Sequence, residues 1–246
     1  MHGLSRLLTA AGAAAAVVAL SPGLASASPA APALPGIVFV SLIASGYAAL
    51  PEAGGATDFA GVRTTFIVPA VTCTAQNATA TTRTGLDGIT DSTAEIAGVN
   101  EACVNAVPFY TTFYRMFPAA QVPEFHPSAG DKVSASVTRN ASVYTLSVHD
   151  LTSGQSFTAV KVCSMCQGSS AGVSAGSPSG MVPANFGIVH FTDIVVADGA
   201  GVSGGLANPA WKTLKLTQPG SPHTVAGPLH TFTSPAHSAF ADTWAP

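Results

Sequence analysis

Strict alternation of apolar and polar residues governs what this chain can fold into. In "SVYTLSVHD" (142–150), Tyr144, Leu146 and Val148 share one face, and Thr145, Ser147 and His149 share the other. "DKVSASVTR" (131–139) sets Val133, Ala135 and Val137 on one side in the same way. A period of two is the signature of a half-buried strand. The segments at 62–71, 110–117, 154–163, 186–194 and 211–217 are rich in β-branched or aromatic residues, which favour strands. Turn signals stand between them at 127–131, 139–142 and 151–154. Past the N-terminal leader, no segment carries a 3.6-residue apolar stripe. The pattern predicts an all-β, antiparallel β-sandwich.

A serine-hydrolase motif sits awkwardly in such a chain. Gly172-Val173-Ser174-Ala175-Gly176 has the form of a nucleophile elbow. An elbow works because a strand turns sharply into a helix. The sequence after Gly176 carries prolines and glycines, and a similar pattern recurs at Gly201–Gly205. Ser174 is therefore expected to be an ordinary strand or loop serine. His149 beside Asp150, and His190 near Asp193, are not expected to form triads. The histidines at 223, 230 and 237 offer no strand on which to converge.

The surface has few charges to work with. Charged residues are 9% of the chain and apolar residues 47%, with a net charge of −3 and no run of either sign. Nucleic acid and anionic membrane need clustered Lys/Arg, so neither is an expected partner. Residues 1–27 read as a signal peptide. Arg6 supplies the positive region, 7–20 an apolar segment too short to span a bilayer comfortably, and Ala25-Ser26-Ala27 the cleavage site. Residues 28–44 form a Pro/Ala-rich leader, and 45–246 the domain. The expected product is secreted, monomeric and without a membrane span. Export makes disulfides the default for Cys73, Cys103, Cys163 and Cys166. Cys163-x-x-Cys166 alone would also suit zinc, but a zinc site needs two more close ligands. No metal or cofactor is expected.

Several segments together resemble the glutamic peptidases, or eqolisins. They are "SGYAAL" (45–50), "FAGVRTTFIVPAVTC" (59–73), "TGLDG" (84–88), "YTTFYRMFP" (110–118), "SAGDKVSASV" (128–137), "LTSGQSF" (151–157), "ANFGIVHFT" (184–192) and "SAFADTW" (238–244), in the family's order. The resemblance implies a concanavalin-like sandwich of jelly-roll type and an exported acid endopeptidase. It also implies a disulfide from Cys73 to Cys103, which leaves Cys163 and Cys166 to close a small local ring.

The family's chemistry uses a Glu as general base on a water and a Gln amide to polarise the oxyanion. On this resemblance Ile96 stands where the Gln belongs and Gly176 where the Glu belongs. No shift of register restores the pair. Residues 151–192 contain no Asp or Glu, the last Glu is Glu124, and no Gln lies between Gln76 and Gln121. Glu95 neighbours the Gln position, but adjacent strand residues face opposite ways, and only a bulge would re-aim it. Arg83, Phe113 and Arg115 replace an aromatic, a Trp and a Glu of the family pattern, and Asn100 an acidic residue. Asp87, Tyr110 and Tyr114 match it. These six, Arg83, Asp87, Tyr110, Phe113, Tyr114 and Arg115, are the expected lining of a groove.

The expected function is binding of a peptide or extracellular polymer without cleavage. An active acid endopeptidase with relocated groups is the first alternative. A structural envelope protein is the second.

Overall fold

A computed structural model describes residues 38–40, 44–177, 181–219, 224–228 and 238–244. The expected signal peptide, most of the 28–44 leader and the histidines at 223, 230 and 237 lie outside these residues. None of the described residues is helical. The strands are β1 (Val38–Val40), β2 (Ser45–Leu50), β3 (Phe59–Ile67), β4 (Thr79–Asp87), β5 (Ala94–Val104), β6 (Val107–Phe117), β7 (Val122–Pro123) and β8 (Lys132–Asn140). They continue as β9 (Val143–Asp150), β10 (Ser156–Val162), β11 (Ala171–Gly176), β12 (Ile188–Asp198), β13 (Ser203–Gly204), β14 (Lys212–Pro219), β15 (Thr224–Pro228) and β16 (Phe240–Trp244).

They form an antiparallel two-layer β-sandwich. One layer runs β14-β2-β11-β4-β5-β6-β7, and the other runs β10-β9-β8-β3-β12-β16-β15. β14 and β15 pair, so the layers join along one edge. Between named strands, only β1 on β14 is parallel.

Alternation places the core where the sequence expects it. Val133, Ala135 and Val137 of β8, with Tyr144, Leu146 and Val148 of β9, are all fully buried. They meet Leu86, Ala97 and Val99 from the other layer in one apolar cluster. Phe66, Phe191 and Phe240 extend it, with ring centroids 4.8 and 5.9 Å apart along the chain of contacts.

Both expected disulfides are formed, Cys73–Cys103 and Cys163–Cys166. The first ties the segment after β3 to the end of β5. The second closes a short loop between β10 and β11.

Asp87 holds that loop against the sheet. It sits at φ 64°, a conformation Asp tolerates better than most residues, and Gly88 follows at φ 84°. Its carboxylate accepts N–H groups from Gln167 (3.2 Å), Gly168 (3.1 Å) and Ser169. This hairpin end thus fixes the approach to β11.

Candidate functional site

The site is a face of the first layer, and strand register dictates its contents. In one row across the strands, Gly46 of β2 pairs with Ser174 of β11, Ser174 with Arg83 of β4, Arg83 with Gly98 of β5, and Gly98 with Phe113 of β6. In the next row, Ala48, Gly172, Gly85, Ile96 and Arg115 follow in the same order. A third row joins Gly176, Thr81, Asn100 and Thr111. None of these positions carries a carboxylate.

Gly98 is needed by its surroundings. A Cβ on Gly98 would lie 2.2 Å from the Thr82 carbonyl oxygen and 2.9 Å from the Arg83 Cβ. Gly98 therefore keeps the floor low between Arg83 and Phe113.

A groove with a volume of about 380 Å³ lies over this floor. Arg83, Ile96, Phe113 and Arg115 line it, and the sequence named all four. A smaller depression beside it shares Arg83 and Ile96 and reaches Gly172 and Ser174.

The two guanidiniums face each other's charge. Burial, then the Arg115 charge, bring Arg83 down to about 10, still protonated at neutral pH. Arg83 Nε donates to Ser174 Oγ at 3.4 Å. Arg115 Nε donates to the Ala119 carbonyl at 2.9 Å, and its guanidinium lies 4.7 Å over the Phe117 ring. Ser174 stands in mid-strand, with no elbow after it. The described hydrogen bonds include none from it to a histidine. Asp150 is likewise committed to its own turn, accepting from Thr152 and Ser153.

Three expected lining residues do not present their side chains to the groove. Tyr114 pairs with Ala97 on the core side. Its ring is buried 5.9 Å from Phe157, with Lys161 Nζ 5.1 Å from its centroid. Tyr110 also turns inward, and its hydroxyl accepts the Val71 N–H at 3.2 Å. The parity that points Arg83, Phe113 and Arg115 outward sends these two tyrosines the other way. Asp87 borders the smaller depression, but its carboxylate is spent on the 167–169 loop.

The structure adds groove residues that sequence reasoning missed: Asp91, Thr93, Phe117 and Gln121. Phe117 was legible, because it shares parity with Phe113 and Arg115. The others come from connections with no period. Asp91 accepts from Gly88 N–H at 2.9 Å, Thr93 N–H at 3.3 Å and the Ser169 hydroxyl. Burial works against its charged form, but these bonds hold its carboxyl below the usual range. The Thr93 hydroxyl is buried and has no hydrogen-bond partner among the described residues.

Glu95 and Glu101 are the nearest glutamates on the sheet, and both face the core, fully buried. No bulge interrupts β5 in either ladder, so Glu95 is not re-aimed. Neither carboxyl has a hydrogen-bond partner among the described residues. Burial, reinforced by Asp87, pushes Glu95 up to about 9; burial pushes Glu101 up to about 8. Glu95, Cys163 and Cys166 bring ligand atoms within 4.8 Å of one another. The two sulfurs are bonded to each other, so no thiolate pair is present to take zinc.

This fold matches a known group. The model of the peptidase A4 family matches residues 45–226. The chain belongs to the peptidase A4 family. Among solved structures, this A4 chain is similar to scytalido-glutamic peptidase with a peptide-based transition-state analogue, with a TM-score of 0.67 and 20% identity over 82% of this chain and 98% of that one. It is similar to SCP-B, an eqolisin in complex with the tripeptide Ala-Ile-His, with a TM-score of 0.66, 20% identity and the same coverage. It is also similar to aspergilloglutamic peptidase from Aspergillus niger, with a TM-score of 0.59 and 20% identity over 68% of this chain and 99% of that one. No curated protein sequence matches the chain.

Proposed function

We propose that this A4 chain is an exported, monomeric peptidase relative whose groove binds peptide and does not cut it. One observation carries the reading. On the family resemblance Ile96 and Gly176 stand where the Gln and Glu belong, and the three cross-strand rows that hold them carry no carboxylate. A general base contributes roughly 10²–10⁴-fold and an oxyanion donor about 10²–10³-fold, so a site without either is left with binding alone. Gly176 adds a backbone reason. Its φ is 155°, a conformation L side chains rarely adopt, so the strand end itself is shaped for glycine.

Peptide is the favoured ligand because the similar eqolisin structures hold a peptide-based analogue and a tripeptide. Two disulfides suit an oxidising compartment, and among the described residues no helix is long and apolar enough to cross a membrane. The test is calorimetric titration of the secreted protein with Ala-Ile-His and longer peptides. Binding that weakens in Phe113→Ala supports the reading; absence of binding to every peptide contradicts it.

A second reading has one observation in its favour. Asp91 and Gln121 line the same groove and offer a carboxylate and an amide. The hydrogen bonds that hold the Asp91 carboxyl below its usual range also make it a weak base. Acid-pH cleavage abolished by Asp91→Asn would establish this reading in place of the first.

A further inference from the structure

We infer that the groove takes a carboxylate of its peptide ligand, held by the Arg83 and Arg115 guanidiniums. This rests on the peptide-binding reading and names the group recognised.

Two observations converge on it. The first is the placement of two like charges in one groove of a chain with only nine Lys and Arg in all. Each raises the cost of the other, which is why Arg115 lowers the Arg83 pKa. An anion between them removes that cost, and a guanidinium fork matches the two oxygens of a carboxylate.

The second is the fate of the acids nearby. The three cross-strand rows of the groove floor hold none. Asp91 is engaged by the Gly88 and Thr93 N–H groups and the Ser169 hydroxyl, and Asp87 by the 167–169 loop. With Arg83, Arg115 and Asp91 all charged, two guanidiniums against one carboxylate leave the groove positive in a protein of net charge −3.

Phe113 and Phe117 supply the apolar wall for the side chain beside that carboxylate.

The test compares three tripeptides at pH 6 by calorimetry: acetyl-Ala-Phe-Ala as the free acid, the same peptide as its amide, and amidated acetyl-Ala-Phe-Glu. The free acid is expected to bind about tenfold or more tighter than its amide, with the preference weakening in added salt. Comparable gain from the glutamyl amide assigns the site to side-chain carboxylates; gain from the free acid alone assigns it to chain ends. Either result supports the inference.

Arg115→Gln should erase the preference for the free acid over its amide. Arg115→Lys, which keeps the charge and loses the fork, should retain part of it. Melting curves show that each variant is folded. Equal affinity for acid and amide overturns the carboxylate inference and leaves peptide binding standing. No binding of any peptide overturns both.

Discussion

On β5, Glu95 and Glu101 point into the sandwich, while Ile96, Gly98 and Asn100 point into the groove. The same few residues of chain thus carry acids on the dry face and none on the ligand face. On the dry face burial keeps both carboxyls protonated, so the core tolerates them as neutral groups. On the groove face the ionic groups are guanidiniums, and Arg83 remains charged even with its value lowered. The difference teaches that an acid close to an active-site position in sequence says nothing about chemistry until parity is known. A one-residue slip of β5 would exchange the two sets, and the unbroken register forbids it.

The largest expected effect comes from pH and tests the dry face. Glu95 and Glu101 have folded values of about 9 and about 8 against an ordinary 4.5. For acids raised in the fold, their stability contribution is full below the unfolded value and is lost as pH rises through the folded one. The fold should therefore be firmest near pH 4–5 and weaken progressively up to about pH 8 for Glu101 and 9 for Glu95. Each acid contributes up to about 1.4 kcal/mol per pH unit inside its window. A melting temperature lower at pH 9 than at pH 5 by roughly 20–40 °C is expected, and Glu101→Gln should flatten the slope. A flat profile in the unmodified protein would break the comparison.

Next in size is truncation in the core. Leu146→Ala should destabilise by about 2–5 kcal/mol, because a fully buried leucine leaves a cavity. Chemical denaturation measures this directly.

The smallest effect belongs to the groove. Arg115→Gln removes one of two like charges at a half-buried site and should change stability by less than about 0.5 kcal/mol, in either direction. If its cost approached that of Leu146→Ala, the groove side chains would be part of the scaffold, and the contrast between the faces would fail.

Much of this is legible in the sequence. The alternation in 131–150 named six fully buried residues of two strands. The order of the family-like segments placed Arg83, Ile96, Phe113 and Arg115, and the groove contains all four. Tyr110 and Tyr114 were misplaced because residue type was carried over without strand parity. Asp91, Thr93 and Gln121 were missed because loops have no period to reveal their direction. The unpartnered burial of Glu95 and Glu101 was also hidden, since it depends on which side chains from the opposite layer close over them.

The central claim is that the groove binds but does not cut. Its most direct test is incubation of the homogeneous, unmodified mature protein with a proteome-derived peptide library from pH 2 to 6, read by mass spectrometry. The account predicts no cleavage above a no-enzyme control, with Ser174→Ala indistinguishable from the unmodified protein. Cleavage that persists in Ser174→Ala and disappears in Asp91→Asn would contradict it by showing a relocated carboxylate at work. Cleavage lost in Ser174→Ala would contradict it in favour of a serine nucleophile.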